Sequence, residues 1–168
     1  MPDNFSLIEL RALHEIARVL SQPNELKDQL QETLDVLSSR LGMERGMISI
    51  LDLQTGEAWL DVARGVDVET GKICYRPGEG ITGKVAQTGR PMAIANLSDE
   101  TLFLDRTGAR KSLNRAELAF LCVPIFYQGR CVGVLSADKL AHKVEVITEE
   151  VAILSAVAEL LGKVVHFR

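Results

Sequence analysis

Six basic side chains, Arg76, Lys84, Arg106, Arg110, Lys111 and Arg115, fall in and around one glycine-rich run, Tyr75-Arg76-Pro77-Gly78-Glu79-Gly80-Ile81-Thr82-Gly83-Lys84. Guanidinium groups hold carboxylates through paired N–H donors, and a helix N-terminus adds partial positive charge. As a group these residues could seat a small anionic metabolite. Any one of them reads as readily as a solvated cation balancing Glu79, Asp99, Glu100, Asp105 or Glu117.

Other chemistry is thinly represented. The histidines, His14, His142 and His166, sit in the helical flanks, away from the motif-rich middle, so no nucleophile–base–orienter set is visible. The three cysteines, Cys74, Cys122 and Cys131, include no C-x-x-C pair, which argues against a disulfide framework or a Cys/His metal cluster. In a two-residue hairpin register Cys122 and Cys131 stand about four residue steps apart, roughly 13 Å, too far for a disulfide. Gly78-x-Gly80-x-x-Gly83 matches a dinucleotide-binding spacing, but Gly89-Arg90-Pro91 ends its helix within two turns and no parallel βαβ unit surrounds it.

The elements that would position these groups follow from periodicity. Leu7, Leu10, Leu13, Ile16, Ala17 and Leu20 mark a helix over 5–20; Leu26, Leu30, Leu34, Leu37 and Leu41 mark another over 24–41, with Ser21 or Asn24 as its cap and Gly42 as its stop. Strands are predicted at 46–53, 58–64, 72–76 and 92–96, the first two joined at Gln54-Thr55-Gly56-Glu57. Glycines and a proline turn the chain tightly into a short helix over 81–87, whose exposed N–H groups form a pocket rim. The polar stretch 98–115 reads as either a solvated loop or a pocket cover.

The strongest hairpin spans 117–127 and 130–138 about Gln128-Gly129, a turn that pairs Tyr127 with Arg130 and Cys122 with Leu135. That register puts Phe120, Cys122, Leu135 and Ala137 on one face, and Leu121, Val123, Val134, Ser136 and Asp138 on the other. Both faces are apolar, so both must be covered. Thr148 is expected to cap a final helix over 148–166. Its stripe is Val151, Leu154, Ala158, Leu161 and Val165, with Ile153, Val157, Val164 and Phe167 outside it. Finding no stop before Phe167 suggests either a piece of a larger protein or a helix completed by a partner.

The 168 residues are 46% hydrophobic and 25% charged, enough for one domain with a sizeable core, and the formal net charge of −4 disfavours direct nucleic-acid contact. No apolar run exceeds about ten residues, and no signal peptide is evident, so a cytoplasmic protein without membrane contact is expected.

Tyr75-Arg76-Pro77-Gly78-Glu79-Gly80-Ile81-Thr82-Gly83-Lys84-Val85, Gly89-Arg90-Pro91-Met92, Phe120-Leu121-Cys122-Val123-Pro124-Ile125 and Gly133-Val134-Leu135-Ser136-Ala137-Asp138, in this order, resemble a GAF domain through nearly the whole chain. With Phe103-Leu104-Asp105-Arg106 the likeness narrows to the N-terminal GAF domain of NifA-type sigma-54-dependent activators. The resemblance implies an α+β sandwich: a central antiparallel sheet of about six strands, terminal helices on one face, and a ligand pocket under the short helix and loops on the other. It implies one sensor domain over 1–168 that controls attached ATPase and DNA-binding domains in nitrogen-fixation regulation. No cofactor or metal is expected; a small effector such as 2-oxoglutarate is.

On this reading Arg76, Thr82, Lys84 and Arg106 contact the anion, Phe103, Cys122 and Ser136 form walls, and Asp138 is a polar pocket edge. The domain is expected to be non-catalytic and to form a homodimer through its first and last helices. The alternatives are a ligand-free dimerisation module and a GAF-type free methionine sulfoxide reductase. The reductase is disfavoured because 113–119 lacks the cysteine that such enzymes carry there.

Overall fold

The computed structural model describes residues 4–97, 103–108, 110, 118–140 and 147–165. Four helices, α1 (Leu7–Ser21), α2 (Leu26–Leu41), α3 (Gly80–Thr88) and α4 (Ile147–Leu161), accompany strands β1 (Glu44–Leu51), β2 (Ala58–Ala63), β3 (Cys74–Tyr75), β4 (Met92–Ile94), β5 (Leu118–Tyr127) and β6 (Arg130–Leu140). The strands form one antiparallel sheet in the order β3-β2-β1-β6-β5-β4. The two longest strands, β5 and β6, lie beside one another near its middle, both apolar on both faces. Gln128 (φ 50°) and Gly129 (φ 78°) supply the paired left-handed turn that such a hairpin needs.

One face is covered by α2 and α4, with α1 packed across both. Leu30, Leu34 and Leu37 of α2, Leu154, Val157 and Leu161 of α4 and Ile16 of α1 meet Leu121, Val123, Ile125, Leu135 and Ala137 of the sheet. The opposite face holds a second core of Met47, Leu60, Tyr75, Ile81, Val85, Phe120, Cys122 and Val134 under α3. The sandwich expected from the sequence is therefore the fold observed.

Four details differ from the sequence reading. First, a β-bulge falls at Val132: Phe126 pairs with Cys131, but Ile125 pairs with Gly133, and Cys122 therefore faces Ser136, not Leu135. The extra residue inverts the faces of β6 beyond it. Val134, Ser136 and Asp138 join Phe120 and Cys122 over α3, while Leu135 and Ala137 turn to the helices.

Second, neither Ser21 nor Asn24 caps α2. Its N-cap is Glu25, without a side-chain cap bond, and the Ser21 hydroxyl donates to the Ala17 carbonyl within α1. Third, Thr148 lies inside α4, which starts at Ile147. Fourth, α4 ends at Leu161 and gives way to turns rather than running to 166. Gly162 follows directly, and there only a residue without a side chain fits: a Cβ would lie 2.0 Å from the Phe126 carbonyl oxygen, so the β5–β6 tip crowds the chain at that point. Ile153 and Val157, set outside the α4 stripe, are buried within the monomer.

Other boundaries hold closely. The Ser6 hydroxyl and the Glu9 carboxylate form a capping box at the start of α1, and Gly42 and Gly89 end α2 and α3 in left-handed conformation. Within the polar stretch, Phe103, Leu104, Asp105 and Arg110 lie against the α3 face. Lys111, Arg115, Glu117 and the residues beyond Val165 lie outside the described residues.

Candidate functional site

Asp138 anchors the site. It sits near the end of β6, opposite Phe120 of β5 and Glu44 of β1, and has no exposed surface. An isolated carboxylate in such a place would be strongly disfavoured. Two arginines compensate it. Arg110 donates from Nε to Asp138 Oδ2 and from Nη2 to Oδ1, both at 2.8 Å, the parallel geometry that a guanidinium and a carboxylate favour. Arg45 Nε donates to the same Oδ2 at 2.5 Å. Arg45 occupies a second bulge, where Glu44 pairs with Asp138 and Met47 with Ser136, and its φ of 48° places it in the left-handed region.

Arg110 is itself buried, only 1% exposed. Its Nη1 donates to Asp105 Oδ1 at 2.9 Å, and its backbone N–H to Asp105 Oδ2 at 3.3 Å. The guanidinium lies 5.0 Å from the ring centre of Phe103 and 5.5 Å from that of Phe120, and the two rings meet edge to face at 4.8 Å. Burial pulls the Arg110 pKa down, but the bonds to Asp138 and Asp105 outweigh it and the net direction is upward. The result is a largely buried cluster of two cations, Arg45 and Arg110, and two anions, Asp138 and Asp105.

Around it lie Met47, Tyr75, Ile81, Thr82, Leu104 and Phe120, and they leave a void of only about 10 Å³. That is room for no more than a single water. A guanidinium carries five N–H donors. Among the described residues Arg110 spends three on Asp138 and Asp105, leaving one on each terminal nitrogen. Further out, Arg106 pairs with Glu79, the N-cap of α3, and stacks 5.0 Å over the Tyr75 ring. Burial raises the Tyr75 pKa despite these cations.

Of the residues picked from sequence, Thr82, Phe103, Cys122, Ser136 and Asp138 gather on this face, and Arg106 stands at its edge. Arg76 and Lys84 are exposed and take no part in the lining. Sequence reasoning put Arg110 only in the general basic group and did not single out Arg45 or Asp105. The sequence hint for Arg110 was its place in that basic run; Arg45 gave none, because its role depends on a bulge.

The thiol chemistry is muted. Cys122 is fully buried, and burial pushes its thiol well up, against the opposing bond from the Thr82 hydroxyl. A protonated, enclosed thiol is a poor nucleophile. All three cysteines are free, and burial raises Cys131 as well. No group of three or more potential metal ligands occurs among the described residues.

Comparison with known proteins gives a consistent picture. A family model described as GAF domain matches residues 25–165. The "Nif-specific regulatory protein" of Azospirillum lipoferum is 34% identical over 99% of this chain, which spans 27% of that protein. "Nitrogen fixation protein VnfA" of Azotobacter vinelandii is 31% identical over 94% of the chain, which spans 30% of it. The crystal structure of the A. aeolicus nlh2 GAF domain in an inactive state superposes with a TM-score of 0.86 at 29% identity, covering 94% of each chain.

The raised Cys122 thiol has a measurable consequence. An acid whose pKa is higher in the folded state contributes its full stabilisation below its unfolded value, here 9.0, and loses it as pH rises past that value. Urea unfolding between pH 9 and 10 should show stability falling, with up to ~1.4 kcal/mol per pH unit from this one group. Cys122→Ala should remove that share of the slope; an unaltered slope would contradict the assignment.

Proposed function

This chain belongs to the GAF domain family, and from that premise we propose that it is a non-catalytic cytoplasmic sensor domain of a nitrogen-fixation type activator, responsive to a small anionic metabolite such as 2-oxoglutarate. Of the relatives named above, one is by name a Nif-specific regulatory protein and the other a nitrogen fixation protein, and this chain spans 27% and 30% of their lengths. The proposal accordingly includes attached ATPase and DNA-binding domains that act on sigma-54-dependent transcription, with 1–168 as one sensor unit. No helix among the described residues is long and apolar enough to cross a membrane.

The observation that carries the ligand reading is Arg110: a buried guanidinium with two N–H donors left over among the described residues, lining the void between β6 and α3. Carboxylates are the partners for which that fork is shaped. Thr82 and Arg106 would add contacts once the site is opened, with Phe103, Cys122 and Ser136 as walls and Asp138 as a polar edge. Arg76 and Lys84 would act at the rim. The reductase alternative loses ground on Cys122, which is enclosed and held protonated.

Calorimetric titration tests this reading. Saturable binding of 2-oxoglutarate is expected, weakened roughly ten- to hundredfold in Arg110→Gln, the cost of a charge-assisted bond. A flat trace with 2-oxo acids and cyclic nucleotides alike would favour a ligand-free dimerisation module.

We further propose that the domain pairs through α1 and α4. Leu7, Ile8 and Leu10 of α1 are 62%, 63% and 50% exposed. Beside them an open groove of about 530 Å³ runs between α1, α4 and the hairpin tip, with Leu13, Ala17, Phe126, Ala156 and Leu160 as its apolar lining and His14, Glu159 and Lys163 as its polar lining. A second copy would cover this apolar surface. Sedimentation at micromolar concentration should show a dimer of the 18.5 kDa chain that Leu10→Asp dissociates; a wild-type monomer would refute it.

A further inference from the structure

The void beneath α3 is too small for any metabolite, and among the described residues the buried charges around it, Arg45 and Arg110 against Asp138 and Asp105, already balance. An anion added to it must therefore displace both volume and negative charge. Two carboxylates are present, and they are held very differently. Asp138 belongs to a central strand, is bonded by two arginines, and forms part of the sheet register with β1 and β5. Asp105 stands on an irregular segment in left-handed conformation, φ 46°, and among the described residues its carboxylate bonds only to Arg110.

Its neighbours on that segment provide the rest of the cover. Phe103 stacks on the Arg110 guanidinium, and Leu104 reaches over the first turn of α3, where a Cβ on Gly80 would lie 3.0 Å from its Cδ1. Leu104 is nonetheless 44% exposed, so this cover lies only one side chain deep.

We propose that Asp105 is an internal stand-in for the effector. Its carboxylate occupies the Arg110 position that a carboxylate of the effector takes, and the two compete for it. The inference rests on the sensor reading above and adds how that site is regulated. Binding would move Asp105 off Arg110, carry Phe103 and Leu104 with it, and vacate the volume that a small dicarboxylate needs. Arg110 keeps its paired bonds to Asp138 throughout, so the buried charges are never left uncompensated. Arg106, paired with Glu79 at the head of α3, is placed to take a second carboxylate. The apparent affinity of the wild type is then the intrinsic affinity reduced by the fraction of molecules in which Asp105 has let go.

Asp105→Asn separates this from a purely structural role. The amide keeps the shape and an acceptor oxygen but gives up the charge, so it holds Arg110 less strongly. Titration of wild type, Asp105→Asn and Asp105→Ser with 2-oxoglutarate should show both variants binding at least tenfold tighter. In the wild type, amide exchange over 103–108 should speed up on saturation with 2-oxoglutarate. Variants that remain folded by circular dichroism but bind no tighter than a binding-competent wild type would overturn the stand-in and leave the sensor reading intact. Binding by the variants alone would support it, as an internal competitor too strong for the probe. No binding by any of the three, with 2-oxoglutarate, succinate or glutarate, would overturn both.

Discussion

A carboxylate with no access to water must be answered by positive charge, and the architecture over α3 is organised around that requirement at Asp138. The answer comes from distant parts of the chain: Arg110 from the irregular stretch before β5, and Arg45 from the start of β1. Each is held by a separate device. Arg110 packs against Phe103 and Phe120 and is tied to Asp105; Arg45 is aimed by a bulge and a left-handed backbone. Removing either arginine would leave the buried Asp138 carboxylate with half of its positive partners. The ion pair thus fixes where the segment 103–108 and Arg110 lie.

The sheet makes this arrangement possible through one inserted residue. Without the bulge at Val132, Asp138 and Ser136 would point into the helix layer, where Leu34, Leu37 and Leu154 offer no partner. With it, polar groups collect on the α3 face and the helix face stays apolar. The bulge at Arg45 works in the same sense, delivering a cation to the face where the anion has been placed. Two local irregularities convert a sheet that is apolar on both sides into one with a polar site on a single side.

Much of this fold is legible in the sequence because it rests on periodicity and stop signals. The stripes of α1 and α2, the glycines that end α2 and α3, and the Gln128-Gly129 turn are local features. What escapes is what one inserted residue decides. A one-residue shift reverses every side chain of a strand, so reading β5 and β6 as a regular ladder assigned Ser136 and Asp138 to the wrong face. Gly162 escaped for a related reason: its need for no side chain comes from the Phe126 carbonyl, remote in sequence. In the candidate site, Thr82, Phe103, Cys122, Ser136 and Asp138 could be picked out by motif, and the structure brings them to one face. Arg45 and Asp105 could not, because nothing about an arginine or an aspartate reveals its left-handed backbone or its buried partner.

The central claim is that Asp138 and Arg110 form one energetic unit rather than two incidental polar residues. A double-mutant cycle by urea unfolding tests it most directly, using Asp138→Leu, Arg110→Met and the pair together. Each single change should cost ~3–5 kcal/mol by leaving the other residue with one ion-pair partner in place of two, Arg45 for Asp138 or Asp105 for Arg110, whereas the double variant, with neither charge of the pair left, should cost much less than the sum. Losses that add to within ~0.5 kcal/mol would mean the two residues act independently, and the account of the site would fail.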